Sequence, residues 1–178
     1  MIKKIRSLAR VLAFYIYGGE YYAKKLGVKI GAGCRIYTRQ FGSEPFLISI
    51  GDKVTVTSGV KFLTHDGSTW LFHDEEGNRY QKYAPIRIGN NVFIGVNSIL
   101  LPGVTVGDNV IIGAGSTVTK DLPAYGVYAG SPARYICSFS EYEKKIRRTC
   151  INNSELKQNY SSYQAKVNDA LRLQDEKK

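Results

Sequence analysis

Histidine is nearly absent from this chain: there are two in 178 residues, His65 and His73. A three-histidine metal site within one chain is thereby excluded, and no metal is expected. Cysteine is also sparse. Cys34, Cys137 and Cys150 are odd in number and far apart, which argues against a disulfide framework and for a reducing, cytoplasmic compartment. Long apolar runs are missing. The longest, Val11–Tyr17, falls far short of the roughly 20 residues that span a bilayer, and no small-residue cleavage site follows it. Acidic residues are outnumbered, 15 against 25 Lys and Arg, for a net charge of +10. That excess lies at the ends: residues 30–133 hold eight charges of each sign, residues 1–29 carry +6 and residues 134–178 carry +4. A neutral middle does not suit a nucleic-acid groove, which concentrates its cations on the folded face. Basic ends suit helices that lie near phosphates or anionic lipid.

What the sequence does have is a repeat. From Ile88 an apolar residue recurs every six positions: Ile94, Leu100, Val106, Ile112 and Val118. Four places after each stands a second small or apolar residue, from Val92 through Ser98, Val104, Val110 and Ser116 to Leu122. The same frame occurs earlier at Ile50, Val56 and Phe62, and in a shorter piece at Ile30 and Ile36. A period of six fits neither an amphipathic helix nor a two-faced strand. It fits an all-β solenoid of short strands and tight turns, in which three hexads close one triangular coil and coils stack at the ~4.8 Å strand spacing. The frame breaks at residues 38–47 and again at 66–85. The second break must leave the solenoid as a loop, where repeat proteins usually carry function.

Three regions follow: an N-terminal helical cap at 1–27, the solenoid at 28–137 with its inserted loop, and a C-terminal helical tail at 138–178. Residues 2–17 read as an amphipathic helix with Ile2, Ile5, Leu8, Leu12, Tyr15 and Ile16 on one face. That stripe either covers the open end of the solenoid or rests on a membrane surface as a peripheral contact at the inner face of the cytoplasmic membrane.

The hexads, with the stretch LLPGVTVGDNVIIGAGSTVTKDLPAYGVYAGSPAR at 100–134, resemble the hexapeptide-repeat acetyltransferases. The head of the chain, GGEYYAKKLGVKIGAGCRIY, is similar to the sugar and polysaccharide O-acetyltransferases among them. The resemblance implies a left-handed parallel β-helix, a homotrimer and acetyl-CoA as co-substrate. It also implies a carbohydrate acceptor, with acetyl transfer to a sugar hydroxyl in surface polysaccharide assembly. An amino-sugar N-acetyltransferase and a xenobiotic, streptogramin-type acetyltransferase are the alternatives, and a purely structural β-helix subunit is the reading of another class.

Such a reaction needs a base for the acceptor's proton, donors for the developing oxyanion and a groove for the cofactor. His65 stands at the end of a coil where the repeat gives way to the loop, in FLTHDG, and the resemblance makes it the general base. His73, inside the loop, is its competitor and an acceptor contact. Asp66 is a candidate to orient His65 or to meet the acceptor, although neighbouring side chains on an extended chain point apart. Trp70 either stacks on a sugar face or packs the loop onto the coil. The resemblance places cofactor contacts at the main chain of Val96 and Ala114, beside Gly95 and Phe93, and at Thr119, Lys120 and Arg134 for the nucleotide and its phosphate.

Overall fold

The computed structural model describes residues 2–177, with side chains from residue 11 on. Two-residue strands dominate it. β1 (Lys29–Ile30), β3 (Ile48–Ile50), β6 (Ile86–Ile88) and β9 (Thr105–Val106) form one sheet. β2 (Arg35–Ile36), β4 (Thr55–Val56), β7 (Phe93–Ile94), β10 (Ile111–Ile112), β12 (Gly126–Ala129) and β13 (Arg134–Ser138) form a second. β5 (Lys61–Phe62), β8 (Ile99–Leu100) and β11 (Thr117–Val118) form a third. Every pairing from β1 to β12 is parallel. The chain visits first, second and third sheet in turn, so each coil lays one strand on each face of a prism. Three corners result: first to second sheet, second to third, and third back to first.

The six-residue period explains the interior. The residues that open the hexads pair with one another from coil to coil, as Ile50 with Ile88 and Ile94 with Ile112, and Ile94, Leu100, Ile112 and Val118 are fully buried. Each such side chain removed from water contributes about 1.5–3 kcal/mol before its entropy cost. The fourth-place residues are also buried, Val54, Val60, Val110, Ser98 and Ser116 completely. In the next two coils of the second corner, after Val60, that place holds serine. Ser98 Oγ donates to the Gly95 carbonyl at 2.8 Å and Ser116 Oγ to the Gly113 carbonyl at 2.6 Å, so a polar side chain is buried without an unmet donor. The first corner is held by a ladder: Ala32 N–H donates to Asp52, Asp52 N–H to Asn90 and Asn90 N–H to Asp108.

Coil spacing shows where the insertions lie. Asn90 and its partner Asp108 are 18 positions apart, the length of three hexads, whereas Asp52 and Asn90 are 38 apart. The excess of twenty is the loop at 66–85. It leaves from the third corner as an antiparallel arm, with bridges His65 to Tyr83 and His73 to Arg79. The last coil is shorter, since Val106 bridges to Leu122.

The N-terminal helix differs from the expectation in extent and in what it buries. α1 runs Ile2–Leu26 and breaks at Gly18, whose φ of 84° and ψ of 168° are not helical. The short piece after the break covers the solenoid. Ala23 is fully buried there, Tyr22 and Leu26 pack on the core, and a Cβ at Gly19 would lie 1.9 Å from the Ile36 carbonyl oxygen. The longer piece turns Phe14 inward, edge-on to Tyr22, and leaves Leu12, Tyr15, Ile16 and Tyr17 at the surface.

The chain forms two compact units that divide after Cys137. The second contains α2 (Phe139–Thr149) and α3 (Tyr163–Asp175). Ser138 and Glu141 close the start of α2 as a reciprocal cap. Within that unit Tyr160 donates to Asp169, which Arg172 also meets at 3.0 Å.

Candidate active site

The short break at 38–47 delivers the residue that the sequence reading missed. A three-residue 3-10 turn at Pro45–Leu47 is preceded by Glu44, whose carboxylate reaches the root of the long loop. Glu44 Oε2 lies 3.0 Å from His65 Nδ1 and accepts the Thr64 hydroxyl at 2.6 Å. A carboxylate only accepts, so Nδ1 carries a proton, and in the neutral ring the lone pair falls on Nε2. Burial pushes the Glu44 carboxyl up, but the hydrogen bonds from Thr64 and His65 outweigh it and hold the pKa below the usual glutamate value. The His65 side chain is 41% exposed and Glu44 18%. The imidazole is thus fixed on one side and open on the other. Tyr83 stands edge-on to it, with ring centroids 6.2 Å apart.

Asp66 does not orient His65. Its Oδ1 accepts both the Ser68 amide at 3.0 Å and the Ser68 hydroxyl at 2.6 Å, capping the 3-10 turn Gly67–Leu71. Those bonds lower its pKa. Trp70 projects from that turn, 65% exposed, with the Arg79 guanidinium over its ring at 4.7 Å. His73 lies further out on the arm, opposite Arg79. Asp74 beside it is occupied by the turn, taking the Asn78 amide at 2.7 Å.

The candidate cofactor residues lie elsewhere on the prism. Val96 and Ala114 stack at the second corner, where Gly115 N–H donates to the Val96 carbonyl at 2.7 Å and Asn97 N–H to that of Ser58 at 3.1 Å. Gly95 permits this approach, since a Cβ there would lie 2.4 Å from Ala114 N. Phe93 is half-exposed on β7, next to this corner. Thr119 and Lys120 follow β11 at the third corner. The segment leading to Arg134 folds over β11, with Ser131 Oγ donating to Thr117 Oγ1 at 2.9 Å and Ala133 N–H to the Thr117 carbonyl at 2.8 Å. One chain therefore brings His65, Thr119 and Lys120 to the third corner and Val96 with Ala114 to the second. It does not bring the two sets together. Among the described residues no cluster of His, Cys, Asp and Glu has the arrangement of a metal site.

Known proteins share this pattern. The family model described as the hexapeptide repeat of succinyl-transferase matches residues 85–120. Protein CapG of Staphylococcus aureus is 50% identical over 139 residues, covering 76% of this chain and 80% of that protein. The galactoside O-acetyltransferase of Escherichia coli (strain K12) is 42% identical over 101 residues, 57% of this chain. The chain spans about half, 49%, of that enzyme's length. Among solved structures, a galactoside acetyltransferase in complex with coenzyme A superposes with a TM-score of 0.53 at 26% identity, covering 80% of this chain and 83% of that one.

Proposed function

The chain belongs to the hexapeptide-repeat acetyltransferases of the sugar O-acetyltransferase kind, and from that premise we propose that it transfers the acetyl group of acetyl-CoA to a carbohydrate hydroxyl during surface-polysaccharide assembly. The observation that carries this reading is the Glu44–His65 pair. An imidazole whose Nδ1–H is held by a fixed carboxylate, with Nε2 open, is a general base aimed outward. Acetyl-CoA supplies an activated acyl carbon and a thiol leaving group. His65 Nε2 takes the proton of the acceptor hydroxyl as that oxygen bonds to the acyl carbon. The carbon–sulfur bond breaks, and the imidazolium returns its proton to the departing sulfur. Glu44 holds the ring and offsets its positive charge meanwhile. No acyl-enzyme is needed when both substrates are bound together.

The winding is read as left-handed and the working unit as a homotrimer. The separation of His65 from Val96 and Ala114 supports the second point, since a neighbour's corner can complete what one chain leaves open. Val96 and Ala114 would hold the pantetheine arm by their main chain, with Phe93 and Gly95 shaping the groove. Thr119, Lys120 and Arg134 would meet the nucleotide end, and Trp70 and His73 the acceptor. The exposed stripe of α1, flanked in sequence by Lys3, Lys4, Arg6 and Arg10, is read as a contact with an anionic membrane face. None of the helices among the described residues is long and apolar enough to cross a membrane.

Purified protein supplied with acetyl-CoA and a panel of glycosides tests the assignment, with thiol release as readout. His65→Ala should lower turnover by roughly 10²–10⁴-fold and leave binding of CoA nearly intact. His73→Ala should keep most of the rate. The opposite ranking of the two variants would move the base to His73.

A further inference from the structure

The second corner does not end at Val96. Its column continues to Ser58 and Gly59, and then to residues 37–40 of the coil above. Asn97 N–H donates to the Ser58 carbonyl, and the Thr38 hydroxyl donates to the Val60 carbonyl at 2.6 Å. Over this end of the column lies a cavity of about 430 Å³, between α1 and the first complete coil. Its walls are aromatic: Phe14, Tyr15, Tyr22 and Tyr37. Ser58 and Gly59 line it where it meets the column. Arg39 stands in it with its guanidinium 5.8 Å from the Phe14 ring centroid and 5.7 Å from that of Tyr15. Among the described residues, none that lines the cavity is acidic.

From this arrangement we infer that the cavity is the acceptor pocket and that its ligand is an anionic sugar, a pyranoside bearing a carboxylate or a phosphate. The assignment rests on the acetyltransferase reading and extends it to a substrate class. In the site shared between chains proposed above, an arm lying along the column of one chain, with its nucleotide end toward the later coils, ends its acyl group at the Ser58–Gly59 end, where this cavity opens and a neighbour's third corner would bring His65 to it. Rings of Tyr and Phe offer flat apolar faces to the C–H face of a pyranose, and the tyrosine hydroxyls with Gln40 offer hydrogen bonds to its edge. Arg39 sets the charge. Its planar fork matches a carboxylate or a phosphate, and stacking on two rings pre-orients it. A neutral sugar would leave that cation without a counter-ion.

Calorimetric titration of the full-length protein, without acetyl-CoA, separates binding from transfer. The probes are methyl glycosides of glucose, galactose and mannose, each with its uronic acid and its 6-phosphate. The wild type should bind one acidic form about tenfold or more tighter than its neutral parent, as expected of a partly exposed charged hydrogen bond. The uronate and phosphate arms show which anion it is. Arg39→Gln should abolish that preference and keep the affinity for the neutral parent. His65→Ala should bind like the wild type. An unchanged preference in Arg39→Gln, equal loss of both forms, or no binding of any probe to the wild type would each overturn the proposal. Selective binding without acetyl transfer to the bound sugar would count against the acetyltransferase reading and leave the pocket standing.

Discussion

Glu44 is the residue whose removal says most about the site. In the proposed mechanism it holds His65 and meets no reacting atom, so it acts by position. With Glu44→Gln the hydrogen bond to Nδ1 can survive but the negative charge cannot. Turnover should fall by about tenfold or more, with the Michaelis constants of both substrates nearly unchanged. A merely structural contact would not split kcat from KM in this way. The pair also ties stability to pH. The folded-state pKa of Glu44 is held below its ordinary value of 4.5, so the charged form is favoured by folding. Its contribution is fully present above that ordinary value and is lost as pH falls through the lowered one. Wild type and Glu44→Gln should therefore differ in Tm near neutrality and converge as the solution is acidified below about pH 4.5. Curves that stay parallel to the acid end would show that the carboxylate does not carry the linkage. A position at the edge of the repeat, together with the resemblance, pointed to His65, because both are visible in one dimension. Glu44 was not visible, since 21 positions separate it from His65 and only the stacking of one coil on the next joins them. Asp66 stood next to the base and was the natural suspect, yet the 3-10 turn claims its carboxylate.

At the scale of elements, α1 shows how one apolar pattern leaves open what will cover it. The apolar periodicity of residues 2–17 does make a helix, and a cap for the solenoid does exist. Gly18 divides the two jobs. The cap is the piece after the break, where Ala23 is fully buried, while Leu12 and Ile16 of the predicted stripe stand 51% and 67% exposed. Periodicity reports that one face is apolar and not what will cover it, whereas the hexads named their own partners because each coil repeats the last. The stripe predicts a measurement. Leu12→Asp with Ile16→Asp should abolish cosedimentation with vesicles containing anionic phospholipid and spare acetyl transfer to a water-soluble acceptor. Binding should also weaken with added salt, since each cation near such a surface is worth on the order of 1 kcal/mol. Undiminished sedimentation of the double variant, or equal binding to purely zwitterionic vesicles, would remove the membrane from the account of α1.

For the whole molecule, the arrangement of corners decides how many chains make one site. His65 leaves from the third corner and the Val96–Ala114 column occupies the second, with a full face of the prism between them. A site assembled within one chain would require the cofactor to bend across that face. A site assembled between chains requires only that the third corner of one prism meet the second corner of the next, an arrangement that closes on itself in a ring of three. Two inactive variants separate these cases. His65→Ala lacks the base. Ala114→Arg, at an exposed corner position, blocks the groove without touching the buried stack. Each alone should be inactive. Unfolded together in equal amounts and refolded, they should form mixed rings in which about one site in four joins an intact His65 to an intact column, so close to a quarter of wild-type activity returns. Mixing the folded variants without unfolding should restore little, because stable rings exchange subunits slowly. If refolded mixtures stay as inactive as their parents while both variants show the mass of three chains by light scattering, base and column act within the same chain, and the shared site is wrong.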